Sequence, residues 1–232
     1  MPIDELRPLL RPGGVLLLGE NPGTAEAPAL VAALAETALE TNPEVIVGLE
    51  LPLTEPVDGS SHGAFFDRPD ELRDGRSSRA MSALVHRLAE LDGARPVALD
   101  GPWVAPGAPI PLEHIGLLHQ PRDAVMAGRL LAEIDLVPQA PTIVLAGSMH
   151  TRIDRANQTL GGLISPWFPR MLSLLLLATS GSAWTLSTDG GGPRPLPADP
   201  GLEPGAHWAP EPGTDGHHGY VNLGAVTASP PA

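Results

Sequence analysis

Four residues of this chain, Glu20, Glu50, Arg122 and His150, have types and positions suited to moving protons and holding a substrate oxygen. Histidine titrates near neutrality and, with a carboxylate to set its tautomer, works as a general acid or base. Arginine offers a planar fork for a carbonyl or carboxylate oxygen. Glu50 lies in Val45-Ile46-Val47-Gly48-Leu49-Glu50-Leu51-Pro52, where apolar neighbours make a carboxylate costly without a partner, so a buried partner is expected. Arg122 opens a helical stretch, where a cation opposes the helix dipole. It is therefore expected to reach an acid such as Glu50 or Glu20, or an oxygen of a substrate. Two acids have structural explanations as well as functional ones: Asp123 suits the positive end of the same helix, and Asp100-Gly101 is ordinary turn chemistry. Both stay in the candidate substrate-binding set.

The elements that must position these residues follow from the apolar pattern. Segments 15–18, 45–51, 96–99 and 142–146 are continuously aliphatic, the mark of parallel strands buried on both faces. Helical stretches lie between them. Residues 29–41 follow Pro28 in a first-turn position, 77–91 align Met81, Leu84, Val85, Leu88 and Leu91, and 121–135 offer Val125, Met126, Leu130 and Ile134 to a core. This alternation predicts an α/β fold, a doubly wound, mainly parallel sheet flanked by helices. Ligands of such sheets bind beyond the carboxyl ends of the strands. Gly19-Glu20, Leu49-Glu50, Asp100-Gly101 and Gly147-Ser148-Met149-His150 stand at those ends. Later strands are expected at 171–177 and 183–186. One domain spans 1–232, with a core of about 14–186, a Pro/Gly-rich loop of about 188–218 and a C-terminal strand of about 219–227. The loops 54–72 and 103–120 carry no interpretable pattern. Of the remaining histidines, His62, His86, His114 and His119 are expected in solvated positions, although His114 or His119 could fold over the site.

Composition removes several classes of function. The net charge is -13 and all 14 basic residues are arginines scattered along the chain, which excludes the basic face that a nucleic acid needs. With no cysteine there is no disulfide, thiolate nucleophile or thiolate metal site. Residues 1–11 lack the zones of a signal peptide, and a cytoplasmic location is expected. The longest apolar run, 171–179, is about half of a membrane-spanning helix, so no membrane segment is expected. Oligomeric state has no signature here.

Five motifs together resemble a known superfamily. They are Gly19-Glu20-x-x-Gly23-Thr24-x-Glu26, the second-strand Leu49-Glu50-Leu51-Pro52, Asp74-Gly75-Arg76-Ser77-x-x-Ala80-Met81, Arg122-Asp123-x-x-Met126-Ala127 and Gly147-x-x-His150. In this order, over residues 14–165, they resemble the erythromycin esterase-like/ChaN-like superfamily, which includes the Tiki proteases. The resemblance implies an α/β fold with its site at the strand ends, Glu20, Glu50 and His150 in catalytic positions, and Arg76, Arg122 and Asp123 near the substrate. In that family the first loop reads Gly-Glu-x-His-Gly, its histidine a base in esterase members and a metal ligand in Tiki members. Here Pro22 replaces it and can do neither. The expectation is a metal-independent acid/base enzyme without a cofactor. It would act on a small molecule or modified peptide by hydrolysis, elimination or cyclisation, in natural-product biosynthesis. Residues 220–231 resemble the close of the haem-uptake members, which implies haem or iron binding as an alternative, against which stands an aromatic content of 3%. A catalytically inactive partner subunit is the third reading.

Overall fold

The computed structural model describes residues 1–54, 57–58, 65–67, 74–102, 120–188, 190–197, 199 and 201–232. His62, His114, His119 and most of the loops 54–72 and 103–120 lie outside the described residues.

After the short helix α1 (Ile3–Leu6), strands and helices alternate: β1 (Val15–Glu20), α2 (Glu26–Leu39), β2 (Val45–Pro52), α3 (Arg79–Glu90), β3 (Ala94–Asp100), α4 (Arg122–Leu136) and β4 (Thr142–Gly147). Two short helices, α5 (Ser148–Thr151) and α6 (Leu160–Ile164), lead to β5 (Leu172–Leu177). The chain then forms β6 (Ser180–Ser187), β7 (Gly190–Pro195), β8 (Gly205–Trp208), β9 (Gly219–Asn222) and β10 (Ala225–Val226). Seven strands make the central sheet in the order β3-β2-β4-β1-β5-β9-β8. Its pairings are parallel except β8 with β9.

Why the strands lack alternation is visible in the packing. Leu16, Leu18, Val47, Leu49 and Leu145 face one apolar layer with Leu30 and Leu34 of α2 and Leu84 of α3. Val15, Leu17, Ile46 and Val144 face a second layer with Met126 and Leu130 of α4 and Leu160 of α6. Both faces are therefore covered, as a doubly wound sheet requires. Neighbouring strands β1 and β4 send the chain to opposite faces, through α2 and through α5–α6 respectively. Folds of this kind place their ligands beyond the carboxyl ends of strands where the chain reverses in this way. No helix of the described residues is long and apolar enough to cross a membrane.

The stretch 188–218, expected as an irregular loop, differs. It carries β7, which pairs antiparallel with β6, and β8, which pairs antiparallel with β9. Its prolines read as breakers, but β7 is the edge of a three-stranded sheet ordered β10-β6-β7, and an edge strand tolerates residues without an N–H.

The C-terminal end returns to the domain and braces the first loop. Ser229 N donates to Gly23 O at 2.8 Å, and Thr24 bridges Ala228. Ser229 Oγ accepts from Ala80 N at 2.9 Å while Ser78 Oγ accepts from Met81 N at 3.3 Å, which together cap α3. Gly23 has φ +100°, and a Cβ there would collide with the backbone of Trp184. Its sequence position after Pro22 thus answers a requirement for close approach. Gly23→Ala is expected to cost about 3 kcal/mol or more, with a fall in Tm of roughly 6–12 °C. An unchanged thermal melt would contradict the tight seat of this loop.

Candidate active site

Glu50 leaves β2 only 5% exposed, and its donors come from three other elements. Gly147 N, at the end of β4, donates to Oε2 at 2.6 Å. Arg122 Nη2, from the first residue of α4, donates to Oε1, as does Arg76 Nη1 at 3.2 Å. Asp100, at the end of β3, shares both arginines: Oδ1 accepts from Arg122 Nε at 2.7 Å, and Oδ2 from Arg122 Nη2 at 2.6 Å and Arg76 Nη1 at 3.1 Å. Burial lowers the proton affinity of both guanidiniums, but hydrogen bonds and the facing carboxylates outweigh it and raise both pKa values.

Arg76 is held in place by a local device. Asp74 accepts from Arg76 N at 2.9 Å and from Arg76 Nη2 at 2.8 Å, capping the single 3-10 turn Gly75–Ser77. Gly75 lets this turn lie against Pro22 and Gly23, because a Cβ there would collide with their backbone. The Arg76 guanidinium also stacks over the Phe65 ring at 5.6 Å.

His150 is fixed at both ring nitrogens. Nδ1 lies 2.9 Å from Asp123 Oδ1, which also accepts from Leu160 N at 2.7 Å. Nε2 lies 3.1 Å from Arg122 Nη1 and 3.9 Å from Glu50 Oε1. The network assigns the proton to Nδ1, leaving Nε2 as the acceptor that points at the cluster. Asp123 raises the pKa of His150, burial opposes this, and the charge of Glu50 adds to the rise. For Asp123 burial acts upward, but the bonds from His150 and Leu160 N prevail and lower it.

Glu20 stands apart from these bonds. It is 3% exposed, its Oε2 has no partner among the described residues, and burial followed by the charge of Glu50 pushes its pKa up to about 8. An oriented imidazole thus adjoins a paired set of arginines and carboxylates, and a neutral carboxylic acid lies within the field of Glu50. That set can hold a developing oxyanion and move protons to or from it.

The structure therefore brings Glu50, Asp100, Arg76, Arg122, Asp123 and His150 into one bonded cluster, with Glu20 beside it. Arg122 meets Glu50 and Asp100, and not Glu20. Asp123 reaches His150 rather than only the helix end. Sequence reasoning assigned no role to Asp74, although Asp-Gly-Arg-Ser is a turn signature that could have shown it. His217 was missed as well. It is buried behind Gly19, its Nε2 3.2 Å from Thr151 Oγ1, and burial lowers its pKa. A Cβ on Gly19 would approach His217 Nε2 to 3.3 Å, so glycine there admits this packing.

A metal ion of the kind the resemblance implies for Tiki-like members does not fit these residues. Pro22 offers no ligand atom, both ring nitrogens of His150 are engaged, and the carboxylates of Glu50 and Asp100 face two guanidiniums. Among the described residues no group of three or more potential ligands could hold a metal.

No family model matches the chain, and no curated protein matches it. Solved structures do. A protein from Bacillus cereus superposes with a TM-score of 0.69 at 11% identity, covering 100% of this chain and 94% of its own. A succinoglycan biosynthesis protein gives 0.60 at 11%, covering 86% and 76%. A mutant of erythromycin esterase EreC in its open conformation gives 0.54 at 12%, covering 84% and 79%. At such identities the likeness establishes a shared α/β fold and leaves the chemistry to be argued from the residues.

Two expected outcomes follow from the site. The folded state binds the Glu20 proton more tightly than the unfolded chain, so this group's contribution to stability falls as pH rises from about 4.5 through about 8. Glu20→Gln should remove that part of the decline and, above pH 8, be more stable than the parent by up to about 5 kcal/mol. Parallel pH–stability curves for the two proteins would refute it. In an NMR titration of the imidazole C–H signals, His150 should titrate above the ordinary 6.5, and Asp123→Asn should bring it down. An unmoved midpoint in that variant would show that Asp123 does not govern His150.

Proposed function

We propose that this chain is a metal-independent acid/base enzyme of the erythromycin esterase-like/ChaN-like superfamily. It acts on a small molecule or modified peptide, of the kind made in natural-product biosynthesis, by hydrolysis, elimination or cyclisation at a carbonyl. One observation carries the reading. His150 is clamped by Asp123 at Nδ1 and presents Nε2 to Arg122 and Glu50 at the strand ends. An imidazole with a carboxylate behind it and its acceptor nitrogen turned toward an arginine is equipped as a general base.

Each residue then has a task. Arg122 is 40% exposed at its side chain, and its Nη1, the guanidinium nitrogen that neither Glu50 nor Asp100 holds, can exchange the His150 contact for a substrate oxygen. His150 Nε2, freed by that exchange, takes a proton from water or from the substrate. Glu20, protonated near neutrality, gives a proton to the leaving or developing anion. Glu50 and Asp100 hold Arg122 and Arg76 at their posts, and Asp123 holds the His150 ring. The first-loop histidine of the esterase members has no counterpart in Pro22, so the base is supplied from the β4 end alone.

The test is turnover of a panel of p-nitrophenyl acyl esters and macrocyclic lactones by the purified chain. Glu50→Gln and His150→Ala are each expected to lower it by at least about 100-fold. The double variant should be no worse than the poorer single, because residues that act as a unit do not lose activity additively. Turnover indifferent to both substitutions would contradict the reading. Absence of turnover on every compound would favour a non-catalytic partner role.

A further inference from the structure

Glu20 borders more than the charged cluster. It also lines a cavity of about 100 Å³ with Thr24 and the aliphatic side chains of Leu176, Leu196, Leu223 and Val226. Two polar atoms of these lining residues, Glu20 Oε2 and Thr24 Oγ1, have no hydrogen-bond partner among the described residues. Both residues are only 3% exposed. Unpaired polar atoms at such depth are destabilising, and they occur here on two residues that line one small, mainly apolar space. Thr24 has no part in the acid/base scheme. Its backbone place is set by the bridge to Ala228, which leaves the hydroxyl unexplained by folding.

We propose that this cavity is a binding subsite for a short aliphatic group that carries a neutral carbonyl or amide. The polar end meets Glu20 and Thr24, and the alkyl end lies among Leu176, Leu223 and Val226. The size sets the ligand: a dry cavity of about 150 Å³ takes benzene, so about 100 Å³ takes roughly four heavy atoms, the size of the isopropyl group and carbonyl carbon of isobutyramide. The lining sets the charge. Among the described residues no cationic side chain lines the cavity, so an anion would enter a mainly apolar space within the field of Glu50 without compensation. A cation has no ionised partner either, since Glu20 is protonated near neutral pH. For a substrate of the proposed enzyme, this subsite would receive a small alkyl group beside the proton donor Glu20. To that extent it rests on the acid/base reading, through Glu20, which belongs to both.

The experiment is a titration of the full chain, methyl-labelled for NMR, with isobutyramide. Saturable shifts are expected for the methyl signals of Leu176, Leu223 and Val226, whereas isobutyrate at pH 7 should bind at least about tenfold more weakly. Ala178→Leu, which narrows the cavity, should weaken binding of isobutyramide by at least about tenfold. If that variant melts early, Leu223→Phe carries the same test. Thr24→Val keeps the shape and should weaken binding several-fold by removing the hydroxyl. No saturable shift, an equal response to isobutyrate, or unchanged binding in the narrowed variants would overturn the proposal. Lost probe binding with turnover still dependent on His150 removes the subsite and leaves the acid/base reading. Probe binding without any turnover does the reverse.

Discussion

A carboxylate that emerges from a strand covered on both faces must find its donors in other elements, because water cannot reach it. Glu50 is in that position, and the structure around the strand ends is arranged about it. Gly147 N–H comes from β4, Arg122 from the start of α4 and Arg76 from the turn before α3. Asp100 adds the end of β3 through the same two arginines. One buried charge thus fixes the mutual placement of three strands, a helix and a turn. Removing any donor leaves a buried charge short of partners, which costs far more than an exposed ion pair would.

The two glutamates at this edge show how environment divides roles between identical side chains. Glu50 is surrounded by cationic donors; Glu20, one strand further along on β1 beyond β4, has an apolar cavity and an unpartnered oxygen. Burial then keeps Glu20 protonated near neutrality. His150 completes the contrast, because Asp123 raises its proton affinity while Arg122 occupies its free nitrogen. A proton donor and a proton acceptor therefore stand at the same edge of the sheet, both within the field of Glu50. The proposed chemistry draws on that difference in proton affinity.

Much of this was legible in the residues. Continuous aliphatic runs marked β1 to β5 because both faces of a parallel sheet are buried, and Glu50 announced a partner by standing inside such a run. Arg122 at a helix start announced a carboxylate, and it has two, Glu50 and Asp100. What escaped had physical reasons. The β7 strand hid behind Pro193 and Pro195, which only an edge position permits. The Gly147 N–H is backbone and has no sequence signature. The partnership of His150 with Asp123 depends on how α5 is set against α4, a tertiary fact that composition does not carry. The Glu20 cavity is closed by residues from β5, the segment after β7 and the C-terminal end, far apart in the chain.

The central claim is that Glu50 and Arg122 act as one unit from which the site is built. A double-mutant cycle on folding stability tests it most directly, with Glu50→Gln, Arg122→Ala and the double variant unfolded in denaturant under the same conditions. A coupling of about 1–3 kcal/mol is expected, since each single variant strands the other's charge and the double variant does not. Free energies that add to within about 0.5 kcal/mol would show the two residues to be independent, and would contradict it.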